Sequence, residues 1–395
     1  MTRPLTSRRS GAGTRRRPPF TISAVIAVLL AAILSVPLTL GATAANATNS
    51  TGSWLAAQVS STGSVIDPYG TEPSVDWAVN VALALLADGE QTDALDRAMV
   101  FIEANTETYV TSGTSDEAGH LSWLILLAVF TDRDPHSFGL SSLDLVARLQ
   151  SRFEIAEPGL FGSVDDFTPV TNQALAIIAL NAAGADVPAV ALDWLRMQQC
   201  DAPTEQAGGW QGYRAEVSPG VLAACEPTTS AEYNRAESAS TSFAMQAIAA
   251  VGRVDDPAIG LGLEWLHRLQ SSVSPAAGGF GQYIGDSSDP NSTALVIQAI
   301  RATEDDSQVT GWELGGGDPA SSIASWVIES GPEAGALASP YSDGTADLYA
   351  TYQGLWGIKQ RPLLTLLAVP AQIGSPEDAS QVGSPPAVVA PNFTG

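Results

Sequence analysis

Trp194-Leu195-Arg196-Met197-Gln198-Gln199 opens a pattern that the chain runs through twice. Gly208-Gly209-Trp210 follows it, and then Thr241-Ser242-Phe243-Ala244-Met245-Gln246-Ala247-Ile248. The second pass reads Trp265-Leu266-His267-Arg268-Leu269-Gln270, then Gly278-Gly279-Phe280-Gly281, then Thr293-Ala294-Leu295-Val296-Ile297-Gln298-Ala299-Ile300. Each pass predicts an amphipathic helix, a glycine turn carrying an aromatic, and a helix that is apolar almost all round. A helix pair repeated at this period predicts an array of helical hairpins.

Four more pairs extend the pattern outward. Ser53–Ser60 precedes an apolar helix beginning Asp76-Trp77-Ala78-Val79-Asn80-Val81. Thr92–Asn105 places Leu95, Met99, Phe101 and Ile102 on one face and precedes the wholly apolar Leu121–Phe130. Ser141–Arg152 leads through Pro158-Gly159-Leu160-Phe161-Gly162 to Thr171–Leu180, and Pro319–Ser330 leads to Asp347-Leu348-Tyr349-Ala350-Thr351-Tyr352-Gln353. The apolar helices are expected to begin near residues 75, 119, 171, 241, 293 and 347. Six helices apolar on every side must be shielded from water, and six amphipathic helices can shield them. Two concentric rings satisfy both patterns: an all-α (α/α)6 toroid with an apolar inner ring and an amphipathic outer ring.

The Trp-Leu-x3-Gln run with its glycine–aromatic turn resembles the repeat of squalene and oxidosqualene cyclases and of the related prenyltransferases. Trp194, Leu195, Gln199, Gly208 and Trp210 carry the resemblance, as do Trp265, Leu266, Gln270, Gly278 and Phe280. Trp54, Leu55 and Gln58 match more loosely, as do Gln150, Gly159 and Phe161. The resemblance implies an α/α toroid over residues 48–370, with the repeat glutamine tying helix ends together. A second resemblance is to the helical domain of the cobalamin carriers transcobalamin and intrinsic factor. It rests on Ser292-Thr293-Ala294-Leu295-Val296-Ile297-Gln298-Ala299-Ile300 and on Ala350-Thr351-Tyr352-Gln353, and it implies a corrinoid as a possible ligand.

Residues 1–47 hold six arginines and no acid, then an apolar run from about Phe20 to Gly41, then the small-x-small Ala42-Thr43-Ala44 and Ala45-Asn46-Ala47. This is the pattern of an export signal, or of a membrane anchor if it stays uncleaved. The expected location is secreted or cell-surface. Removing those six arginines from 18 basic residues leaves 12 against 42 acids, a net charge of about −30, with Lys359 the single lysine. Such a chain repels nucleic acid and anionic lipid surfaces. Export favours pairing the two cysteines, Cys200 and Cys225, across an insertion that lengthens one repeat. Residues 371–395, rich in Pro, Ser and Gly, predict a disordered tail.

The catalytic motifs of the cyclase relatives are not found. Asp165-Asp166, Asp255-Asp256 and Asp305-Asp306 are pairs without the aspartate two positions upstream that an Asp-x-Asp-Asp acid needs, and none continues as Asp-Asp-x-x-Asp. They read as turn or cap residues. His120, His136 and His267 lie on different repeats, so no zinc set is expected. What remains is a mouth at the inner-helix starts. Its candidate ligand-binding residues are Asp76, Trp77, His120, Asn172, Gln173, Thr241 and Ser242. Tyr283, Asn291, Ser292, Asp347 and Tyr352 complete the set. An apolar funnel with a few polar groups suits a small molecule. The expected function is non-catalytic binding of an isoprenoid-like or corrinoid-like molecule at the cell surface. Two alternatives stand beside it: a cyclase-like or carbohydrate-active (α/α)6 enzyme, and a structural protein that binds a surface partner. The disulfide-bracketed insertion is the expected lid.

Overall fold

The computed structural model describes residues 51–363 apart from 113–114, 155, 165–167, 217, 219, 228–233, 274 and 305–310. The segments predicted as export signal and as tail, and the Asp165-Asp166 and Asp305-Asp306 pairs, lie outside the described residues. A helical segment over residues 51–58 (α1) comes first. It is followed by α2 (Val75–Asp88), α3 (Thr92–Val110), α4 (Ala118–Phe130), α5 (Leu145–Gln150), α6 (Val170–Ala182) and α7 (Ala189–Met197). Then come α8 (Ser238–Ala250), α9 (Pro257–Leu269), α10 (Pro290–Thr303), α11 (Pro319–Ala324) and α12 (Leu348–Lys359).

The even-numbered helices pack in the order α2, α4, α6, α8, α10, α12, and α12 returns to α2, so the inner ring closes. Helices α3, α5, α7, α9 and α11 pack on α2, α4, α6, α8 and α10 respectively. The two sets differ as their sequences require. In α4, 10 of 13 residues are buried, on every side. In α9 the buried residues are Ala258, Ile259, Gly262, Trp265, Leu266 and Leu269, one face at helical spacing. The all-α toroid expected from the sequence is the fold observed.

The repeat glutamine does the tying job that the resemblance implied. Gln199 Nε2 donates to Gly208 O (2.8 Å) and to Ala258 O (2.9 Å), at the start of the next outer helix. Gln270 Nε2 repeats this toward Gly278 O (2.8 Å) and Trp312 O (2.7 Å). The turn glycines have no room for a side chain. Gly208 has φ +92°, and a Cβ there would meet Leu261 O at 2.3 Å; Gly278 has φ +86° and lies as tightly against Gly317. A second tie runs inward. The backbone N–H of Trp210 donates to Thr241 Oγ1 (2.9 Å), that of Phe280 to Thr293 Oγ1 (2.9 Å) and that of Leu337 to Thr351 Oγ1 (2.9 Å).

The looser matches depart from this. Gln150 is exposed, and Gln58 bonds only Trp54 O in its own helix. In the repeat of Gly159 and Phe161 both ties come from Gln173 of the inner helix. It accepts from Phe161 N (2.7 Å) and donates to Gly159 O (2.8 Å) and Ala191 O (3.0 Å).

Several boundaries move. Helices α8 and α10 begin three residues before the expected Thr241 and Thr293. At α10 the cause is visible: the Asp289 carboxylate accepts from Ser292 N, and Pro290 occupies the first turn. Helix α3 runs to Val110, past Asn105, because Tyr109 and Val110 are themselves buried. The outer helices α5 and α11 are only six residues long, each opened by an aspartate cap, Asp144 and Asp318. Two short antiparallel pairs that the sequence did not signal lead into inner helices. β1 (Val65–Ile66) pairs with β2 (Pro73–Ser74) before α2, and β3 (Thr111–Ser112) pairs with β4 (Ser115–Asp116) before α4. Where α12 meets α2, Lys359 Nζ lies 3.0 Å from Asp88 Oδ1, whose side chain is fully buried.

Candidate functional site

The first two turns of α6, α8, α10 and α12 contribute to a cleft of about 490 Å³. Thr171 comes from α6, Phe243 from α8, Leu295 from α10, and Tyr349 and Gln353 from α12. Gly212 and Tyr213 come from the insertion, Glu237 from the residue before α8, and Gln282 and Tyr283 from the loop before α10. The wall thus combines aromatic rings with hydrogen-bonding side chains. Its size lies within the range of about 300–1,000 Å³ usual for small-molecule sites.

Two networks hold these groups. Glu237 Oε1 accepts from Ser240 Oγ (2.8 Å), and its Oε2 accepts from Gln282 Nε2 (3.2 Å), which also reaches Tyr283 Oη (3.2 Å). Asn291 Nδ2 donates to Gln353 Oε1 (3.0 Å), and Gln353 Nε2 reaches Tyr349 Oη (3.3 Å). The Arg235 guanidinium sits 4.0 Å over the Tyr283 ring. Burial pushes the Tyr349 hydroxyl up, and Asp289, Glu237 and Asp347 add to the shift by their negative charge. Burial also raises the Asp289 carboxyl, against the bonds it accepts from Ser292 and Asn291.

Aromatic rings also meet across the inner ring. Trp123 of α4 meets Phe243 of α8 (centroids 6.0 Å apart) and Trp356 of α12 (6.1 Å). Tyr352 then meets Trp356 (5.7 Å) and Trp77 of α2 (6.0 Å). The two Trp123 contacts join inner helices that are not ring neighbours, whereas Tyr352 and Trp77 join the neighbours α12 and α2. The cleft at the inner-helix starts thus lies near a set of ring contacts among α4, α8 and α12.

The candidate residues separate into groups. Tyr283 lines the cleft, and Asn291 supports Gln353 in its wall. Trp77 and Tyr352 belong to the aromatic row. Asp76, His120 and Asn172 sit on the α2–α4–α6 side. His120 stacks on Tyr109 (4.3 Å) and bonds Tyr109 O (2.7 Å), Tyr109 Oη points at Asp76 Oδ1 (3.5 Å), and Asn172 abuts Gly119. Asp347 and Ser292 are at helix starts, Asp347 as the cap that accepts from Ala350 N (3.1 Å). Gln173, Thr241 and Ser242 are fully buried. The first two serve the turn ties described above, Gln173 from α6 and Thr241 from α8.

The cysteines are joined, with Cα atoms 5.3 Å apart. The insertion they bracket forms one wall of the cleft through Gly212 and Tyr213. Among the described residues no group of three His, Cys, Asp or Glu side chains is placed to hold a metal ion, and no helix is long and apolar enough to cross a membrane. Asp256, of the remaining acid pair, caps α9 and pairs with Arg196.

The sequence reading missed Glu237, Phe243, Tyr349 and Gln353. Tyr349 and Gln353 are spaced i and i+4 on α12, so one helix face carries both into the cleft. Reading the start of α8 at Ser238 would have placed Glu237 at its rim.

No protein-family model and no curated protein matches the chain in sequence. Solved structures do match in shape. A type II terpene cyclase from Scytonema superposes with a TM-score of 0.53 at 15% identity, covering 80% of this chain and 98% of the cyclase. The α-1,6-mannanase GH76A of Salegentibacter sp. HEL1_6, in an inactive variant bound to α-1,6-mannotriose, gives 0.55 at 13% identity, covering 82% and 99%. A protein from Actinoplanes gives 0.52 at 16%, covering 80% and 99%. Identities this low speak for architecture alone, and on that ground the chain shares the (α/α)6 toroid of type II terpene cyclases and GH76 mannanases.

Proposed function

We propose that this chain is an exported toroid that binds a segment of glycan in the cleft at the inner-helix starts. The observation that carries the reading is the cleft wall, which combines Tyr213, Phe243, Tyr283 and Tyr349 with Glu237, Gln282 and Gln353. Sugars present C–H faces that pack on aromatic rings and hydroxyls that donate to carboxylate and amide oxygens. The meeting of Trp123 with Phe243 and Trp356 across the inner ring favours such a ligand over an isoprenoid or a corrinoid, which would need depth along the axis. The basic–apolar–small N-terminal pattern and the disulfide support export.

Hydrolysis of that glycan is a second reading, favoured by one observation. Glu237 lines the cleft, and Asp289 and Asp347 cap α10 and α12, which contribute to its wall; a pair of carboxyls about one cleft is what glycosidic cleavage uses.

Calorimetric titration with α-1,6-mannotriose, cellotriose and chitotriose tests binding. One of them should bind, and Tyr349→Ala should weaken it about tenfold. Stabilisation by cobalamin or a polyprenyl phosphate, with no response to any trisaccharide, would overturn the proposal. Release of reducing ends, abolished by Glu237→Gln and by Asp289→Asn, would establish the second reading.

A further inference from the structure

The cleft does not end the aromatic surface. Tyr349, 43% exposed, has its ring centroid 6.4 Å from Trp77 of α2, and Trp77 lies 6.2 Å from Tyr69. Tyr69 sits in the turn between β1 and β2 and is 85% exposed. Folding alone does not explain that exposure, since a tyrosine leaves water at a gain of about 2 kcal/mol. A lone exposed ring is ordinary, but this one continues a row that begins inside the cleft. The row also carries acceptors. Asp76 is exposed beside Trp77, and Asp347 stands at the α12 start beside Tyr349.

We infer that the ligand is a glycan chain rather than a single short unit, and that it leaves the cleft over Tyr349 and Trp77 to reach Tyr69. This rests on the glycan reading above. Tyr69 then forms an outer subsite, and Asp76 accepts hydroxyl hydrogens between the two ends. The turn that presents Tyr69 is fixed locally: Asp67 N bonds Glu72 O (3.1 Å), and Tyr69 N bonds Asp67 Oδ1 (2.9 Å). The subsite is therefore held in place before any ligand arrives.

The test is calorimetric titration of the full chain with α-1,6-manno-, cello- and chito-oligosaccharides of increasing length. In the series that binds, affinity should keep rising beyond the trisaccharide. Tyr69→Ala, on an exposed side chain, should weaken the hexasaccharide about three- to tenfold and leave the disaccharide unchanged. Tyr69→Phe, which keeps the ring, should restore long-chain affinity. Affinity that levels off at the trisaccharide, or a Tyr69→Ala loss equal for short and long ligands, would overturn the outer subsite and leave the cleft reading standing. Failure of every length to bind would overturn both.

Discussion

Replacing Gln173 by leucine should unfold the toroid far more readily than replacing Gln150, although Gln150 occupies the position of the repeat glutamine. The fully buried Gln173 amide serves three main-chain groups: it accepts from Phe161 N and donates to Gly159 O and Ala191 O. Leucine fills similar volume but offers none of these bonds. It strands one N–H and two carbonyls where water cannot replace the lost partner. At about 1–3 kcal/mol for each stranded group, reduced because the carbonyls keep a second lone pair for local adjustment, the loss comes to about 3–6 kcal/mol. Gln150 is exposed, and its replacement should change stability by less than about 0.5 kcal/mol. Urea unfolding followed by circular dichroism, with equal m-values for the three proteins, gives the comparison. Equal small losses for the two variants, or a larger loss at Gln150, would refute the transfer of the tie from outer to inner helix.

Lys359→Met should cost about 3–5 kcal/mol by leaving the Asp88 carboxylate buried without its cation, and adding Asp88→Leu should recover most of that loss in the same unfolding assay. Reducing Cys200–Cys225 releases a loop of 25 residues and should lower stability by up to about 3 kcal/mol; it should also weaken ligand binding in titration, because Gly212 and Tyr213 lie within that loop. The Asp116 carboxyl is held below its ordinary value chiefly by its hydrogen bond from Arg148. Its stabilisation, about 1 kcal/mol for a pair still partly open to solvent, is therefore present above the unfolded value near 4 and is lost as pH falls through the lowered native one. Asp116→Asn should accordingly differ from the parent at pH 7 and converge with it in acid.

The ring was legible because its signal is repeated. Six apolar stretches at similar spacing, apart from the gap lengthened by the insertion, leave few ways to shield so much surface, and the glycine–aromatic turns at Phe161, Trp210 and Phe280 mark crossings between rings. Helix starts were less legible. The eye stops at Thr241 and Thr293, where apolar residues begin, while the helices begin at Ser238 and Pro290, where backbone N–H groups first need a cap. That one-turn error placed Thr241 in the mouth and left Glu237 out of it. The cleft was least legible of all. Its walls come from four inner helices, a loop and an insertion, and no periodicity in the chain says that Tyr213 and Tyr349 share one surface.

The contact of α12 with α2 has a consequence for how such a protein can change. An open stack of helical hairpins exposes an apolar flank at each end, needs terminal units to cover it, and can lengthen or shorten one unit at a time. A closed circle has no flank to cover. Every hairpin here can therefore be greasy on both sides, but the number of hairpins is locked, since adding or deleting one would pull Asp88 and Lys359 apart and break the circle. Novelty then enters through the connections, as it does between Cys200 and Cys225, where extra chain has become part of the wall of the cleft.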